Sequence, residues 1–74
     1  MNLYQVETNC TYIISHISGY HKCRLLELGF TRCQKVVLIH KASFNGPIEV
    51  EIRYSKIALS KQEAESIFVY KDEK

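Results

Sequence analysis

The sequence has no tryptophan, a single proline, three glycines and no apolar run longer than the one from Val36 to Ile39. A helix that crosses a bilayer needs about 20 predominantly apolar residues, so no membrane span and no direct membrane insertion are expected. Charge of one sign is also scarce. Ten Lys and Arg face eight Asp and Glu, and a net charge of +2 is too small for a nucleic-acid or anionic-membrane binder held mainly by phosphate attraction. Met1 to Gln5 lack the basic start and apolar stretch of a secretory signal, which points to the cytoplasm. The three cysteines, Cys10, Cys23 and Cys33, are an odd number, and reduced thiols are expected rather than a disulfide framework. There is no glycine-rich phosphate loop, no Gly-x-Ser-x-Gly elbow and no recognisable Ser, His and Asp grouping, so neither an enzyme nor a bound cofactor is expected.

What is present is an apolar fraction of 46% in 74 residues, enough for one small domain over residues 1–74 and too little for two. Thr11 to Ile17 is rich in β-branched and aromatic residues and reads as a strand packed on both sides. Tyr20 to Leu28 reads as a short helix ended by Gly29 in a left-handed cap, with Leu25 and Leu28 as core anchors and Leu26 about 100° away from Leu25. The consecutive apolar residues from Val36 to Ile39, within Gln34 to Ala42, suit a central strand covered on both faces. Ser43 to Pro47 form a turn cluster that opens a hairpin.

Ile48, Val50, Ile52 and Tyr54 alternate with Glu49, Glu51 and Arg53, the clearest period of two in the chain, and Tyr54 shares the inward phase. Lys56 to Leu59 continues as a short strand. Ser60 with Glu63 three residues later is a capping box that starts a helical turn, with Ala64 and Ile67 facing inward. Ile67 to Tyr70 supply the last strand before the charged tail Lys71 to Lys74. Five short strands, one helix after the first and a helical turn before the last suggest a mainly β fold. A small SH3-like antiparallel barrel, closed so as to remove exposed edges, fits best.

Several residues invite chemistry. Glu49 and Glu51 resemble a pair of catalytic carboxylates, but at i and i+2 on an alternating strand they share its solvent face. His16, His21, Cys23, Cys33 and His40 are all plausible metal ligands, yet their spacings form no zinc knuckle, and exposed histidines with small buried thiols are the plainer reading. Cys23 has no base beside it in sequence that would make it a nucleophile. Tyr20, His21, Lys22 and Arg24, or Arg53, Tyr54 and Lys56, could stack on nucleic-acid bases, against which both tyrosines read as packing residues. A nucleic-acid-binding barrel and a metal-binding or metal-sensing domain thus stand as alternatives to a protein-interaction module.

The run Arg24-Leu25-Leu26-Glu27-Leu28-Gly29-Phe30, then Gly46-Pro47-Ile48-Glu49-Val50, Ile57-Ala58-Leu59-Ser60, Glu63-Ala64 and Ile67 resembles the FeoA family, over Leu3 to Val69. The chain departs from that pattern at Asn9, Cys33 and Tyr54, where glycine is common, and at Arg32, where proline is. The resemblance implies a small cytoplasmic SH3-like accessory protein of ferrous iron uptake. Such a protein would act by contact with the cytoplasmic GTPase region of a FeoB-type permease, without nucleic acid. The partner surface is expected on the exposed side of the Arg24 to Phe30 segment, with Leu26 as apolar anchor and Arg24 as its polar neighbour, because exposed apolar groups beside Arg mark binding hot spots. The site residues expected are therefore Arg24, Leu26 and Phe30.

Overall fold

The computed structural model describes residues 1–72, so the end of the charged tail, Glu73 and Lys74, lies outside the described residues. The elements run β1 (Thr11–Ile17), α1 (Lys22–Glu27), β2 (Lys35–Lys41), β3 (Ile48–Ile52), β4 (Ser55–Leu59), α2 (Lys61–Glu65) and β5 (Ile67–Lys71). All five strands join one antiparallel sheet in the order β4-β3-β2-β1-β5, which places β2 at the centre as its apolar run predicts. Among the described residues no ladder joins β4 to β5. The expected closure is instead supplied by α2, which spans from one strand to the other and contacts both.

The two strands read as packed on both faces, β1 and β2, each bury one face and leave the other half-buried or exposed. In β1, Tyr12 and Ile14 point into the core, a bulge between Ile14 and His16 shifts the register against β5, and Ile17 returns to the inside. The extra residue of a bulge resets the side-chain phase, so β1 buries one face throughout rather than packing on both. A second shift lies between Leu38 and His40 of β2.

The β3–β4 turn corrects the reading of Tyr54. Ile52 pairs with Ser55, and the two residues between them, Arg53 and Tyr54, have φ of 50° and 68°. Positive φ at both central positions marks a type I′ hairpin turn. The strand therefore ends at Ile52, and Tyr54 projects fully into solvent instead of joining the core. In the β2–β3 loop Phe44 and Asn45 take positive φ, while Gly46 is needed for space. A Cβ there would sit 2.9 Å from both the Ala42 Cβ and the Ser43 carbonyl oxygen.

The core also recruits a segment with no periodic signal. Residues before β1 run beside β5: the Leu3 amide donates to the Ile67 carbonyl at 2.8 Å and the Val69 amide to the Met1 carbonyl at 2.8 Å. Leu3 and Val6 are buried and belong to the same core cluster as the inward residues of the strands. The segment is pinned at Tyr4, whose hydroxyl donates to the Gly46 carbonyl at 3.0 Å. Lys41 Nζ donates to the Tyr4 carbonyl at 2.6 Å and lies over the Tyr4 ring.

Candidate protein-interaction site

The α1 segment is built from local rules at its C-terminal end. Leu28 is the C-cap and Gly29 follows with φ 106°, the left-handed position expected of it. The Phe30 amide donates to the Leu25 carbonyl at 3.1 Å and the Gly29 amide to the Leu26 carbonyl at 3.1 Å. These two bonds are a Schellman motif, which brings the residue after the glycine back onto the last turn. Leu25 and Phe30, the two apolar ends of that motif, are both fully buried.

Three assignments are corrected in this segment. Phe30 is a core residue and offers no surface to a partner. Leu28, expected to be the second anchor of the helix, is 38% exposed, because the chain turns after it and Phe30 takes the inward place. Tyr20 is likewise almost wholly exposed rather than packed, its ring set edge-on to His21 at 5.5 Å between centroids. Leu26, at 41% exposed, faces outward as its phase requires, so Tyr20, Leu26 and Leu28 make the α1 segment the part of the chain where exposed large apolar side chains are concentrated. Arg24 lies on the same helix, but its guanidinium is already paired with the carboxylate of Glu63 on α2, and it remains partly exposed.

Beside α1 and the end of β1 is a groove of about 430 Å³ lined by Ser15, His16, Ile17, Lys22, Leu26 and Arg32. Arg32 carried no site role in the sequence, Lys22 stood out only beside aromatics that could stack on bases, and His16 only as a possible ligand. Nothing in local sequence joins residues 15–17 to 22, 26 and 32; the fold does. Arg32 arrives there on a turn in which the Gln34 amide donates to the Thr31 carbonyl at 3.1 Å and Cys33 has φ 70°. Positive φ at the third residue alone is the signature of a type II turn, which favours Pro then Gly at the positions held here by Arg32 and Cys33. Asn9, at φ 62°, and Tyr54 are left-handed as well, so all three positions where glycine was missing adopt the backbone that glycine favours.

The candidate ligands remain apart. Cys23 and Cys33 are exposed rather than buried, Cys10 is partly buried, and all three are free. The His16 ring stacks on Phe68 with centroids 4.8 Å apart and its Nδ1 is 3.0 Å from the Ser15 hydroxyl. Among the described residues no three His, Cys, Asp or Glu side chains come together. No helix of the described residues is long and apolar enough to cross a membrane.

The fold and the site together define a small SH3-like β domain that shows an apolar helix face beside a basic groove. A family model for the FeoA domain matches residues 1–71, and the chain belongs to the FeoA family, which is linked to ferrous iron transport. It is 26% identical to iron(II) transport protein A of Clostridium thermocellum, with a TM-score of 0.87 over 96% of this chain and 45% of that one. It is 25% identical to the FeoA protein of Chlorobium tepidum, with a TM-score of 0.86 over 96% of this chain and 70% of that one. A FeoA of Stenotrophomonas maltophilia, solved in complex with zinc and described as a prokaryotic SH3 domain protein, shares the fold at 24% identity and a TM-score of 0.84, covering 95% of this chain and 89% of that one. The chain thus spans a little under half of the Clostridium thermocellum protein. A search of curated protein sequences found no match.

Proposed function

We propose that residues 1–74 form a single non-enzymatic accessory domain of ferrous iron uptake, which works in the cytoplasm by contact with the GTPase region of a FeoB-type permease. The observation that carries this reading is the α1 segment. A helix of six residues buries only Leu25 and leaves Leu26, Leu28 and the preceding Tyr20 in solvent. Such a grouping of partly exposed apolar side chains costs solubility, and a grouping of this kind suits a surface that a partner covers. Leu26 is the anchor of this surface, and Arg24, held in place by Glu63, is its polar neighbour. Membership of a family linked to ferrous iron transport supplies the setting.

Titration calorimetry of the chain with the purified cytoplasmic region of the permease tests the reading. Leu26→Gln leaves the amide spectrum folded and weakens binding about tenfold, the effect of losing a moderate hot spot worth about 1 to 3 kcal/mol. Unchanged affinity in a folded Leu26→Gln chain removes Leu26 from the site. Absence of binding by the parent chain removes the function.

A further inference from the structure

The geometry points to the groove between β1 and α1 as a seat for an acidic peptide segment that carries an apolar side chain. This rests on the reading of the α1 surface as the contact site, and names the chemistry of what the site contacts. Three observations carry it. The groove has an apolar floor from Leu26 and Ile17, and its ionisable lining residues are His16, Lys22 and Arg32, with no carboxylate among them. Lys22 and Arg32 are exposed, and among the described residues neither forms an ion pair, whereas Arg24 on the same helix is already neutralised by Glu63. The free positive charge of this face is therefore concentrated at the groove rather than along the helix.

Two exposed cations beside an apolar floor give the groove a positive potential that an anionic partner complements, and charge of opposite sign across a contact sets both specificity and encounter rate. A free phosphate would satisfy the cations and leave Leu26 uncovered. A nucleic-acid strand would need a stacking platform, and the one ring in the groove, His16, is already stacked on Phe68. A short run of Asp and Glu interrupted by Leu satisfies both requirements, with its carboxylates at Lys22 and Arg32 and its leucine on Leu26.

The test uses the whole chain, labelled for NMR and titrated with a synthetic peptide of Asp and Glu around one central Leu. Four comparison probes accompany it: the same peptide with Ala for Leu, a Lys-rich counterpart, inorganic phosphate and a short single-stranded oligonucleotide. The acidic leucine peptide moves the amides of residues 15–17, 22, 26 and 32. Its affinity falls about tenfold when ionic strength rises from about 0.05 to about 0.5 M, as screening of exposed charges requires. Lys22→Glu and Arg32→Glu each weaken it about tenfold or more, and Lys22→Gln and Arg32→Gln, which keep a neutral polar side chain, weaken it less and in the same order. The alanine peptide binds several-fold more weakly, and the Lys-rich peptide does not bind.

The inference is overturned if the shifts fall elsewhere or are absent, if the alanine peptide binds as well as the leucine peptide, or if phosphate or the oligonucleotide gives the same shifts at the same affinity. It is equally overturned if the permease region binds the chain and the four groove variants bind that region as tightly as the parent, an outcome that leaves the proposed function standing. If the acidic peptide occupies the groove and the permease region does not bind at all, the proposed function fails and the groove assignment stands.

Discussion

The two helices are nearly equal in length and differ in everything else. In α2 the Ser60 hydroxyl accepts from the Glu63 amide at 3.2 Å and the Glu63 carboxylate accepts from the Ser60 amide at 3.0 Å, so the first turn is closed reciprocally. Its inner face buries Ala64 and most of Glu63 where β4 hands over to β5. By contrast α1 has no side-chain cap at His21, is stopped by a Schellman turn, and holds itself to the barrel through Leu25. A helix that plugs the fold needs its ends satisfied and its face buried; a helix that displays side chains needs only one anchor and a firm stop. The Arg24–Glu63 pair is a partly exposed link between the two.

The difference is sharpest at the anchors of α1. Phe30→Ala is expected to cost about 3 to 5 kcal/mol and Leu25→Ala about 2 to 5 kcal/mol, because both empty filled core positions. Leu28→Ala should cost less, about 1 kcal/mol, since over a third of that residue is already in water. Thermal denaturation of the three variants checks the order. A Leu28→Ala loss equal to that of Leu25→Ala would mean that α1 is packed like α2 and displays nothing.

At the other helix, Ser60→Ala removes one half of the capping box and should lower stability by about 1 kcal/mol. His21→Ala, at the uncapped start of α1, should change stability by only a few tenths of a kcal/mol. Urea midpoints of the pair measure the asymmetry directly, and equal losses would erase it.

A smaller effect of opposite sign is expected just beyond α1. Cys33→Gly relieves an L-residue held at φ 70°, and that gain, offset by the added entropy of glycine in the unfolded chain, should stabilise the protein by up to about 1 kcal/mol. A lowered thermal midpoint in Cys33→Gly would show that the Cys33 side chain supports the turn. The smallest change is expected for Arg24→Gln, a few tenths of a kcal/mol to about 1 kcal/mol, since the pair is partly exposed. Its informative readout is the amide spectrum of α1, which should shift if the tie to α2 orients the helix and stay put if it does not.

How much of this was legible depended on the range of the interaction. The capping box at Ser60 and Glu63, the stop at Gly29 and the alternation of Ile48, Val50 and Ile52 each involve residues within a few positions of one another, and each stands in the structure as read. The outward face of Leu26 was legible for the same reason. Leu28 and Phe30 exchanged roles because the helix ends one residue earlier than its apolar spacing suggests, and the Schellman bonds then decide which side chain turns inward. Tyr54 kept the period of β3 on paper and lost it in space, since a two-residue hairpin needs its place for the turn.

The sequence by itself determined the strands, both helix boundaries to within a residue or two and the family, because periodicity, caps and the Arg24 to Phe30 run are local properties of the chain. Only the tertiary structure decided that Leu3 and Val6 belong to the core, that a bulge resets the phase of β1, and that Lys22 and Arg32 face one groove with Leu26. Leu3 reaches the core by running beside β5, far along the chain, and the groove joins β1, α1 and the turn after it. No spacing in the sequence encodes such meetings, because they depend on where the sheet carries each element, and an error of one residue in a bulge would send the same side chains to the opposite face.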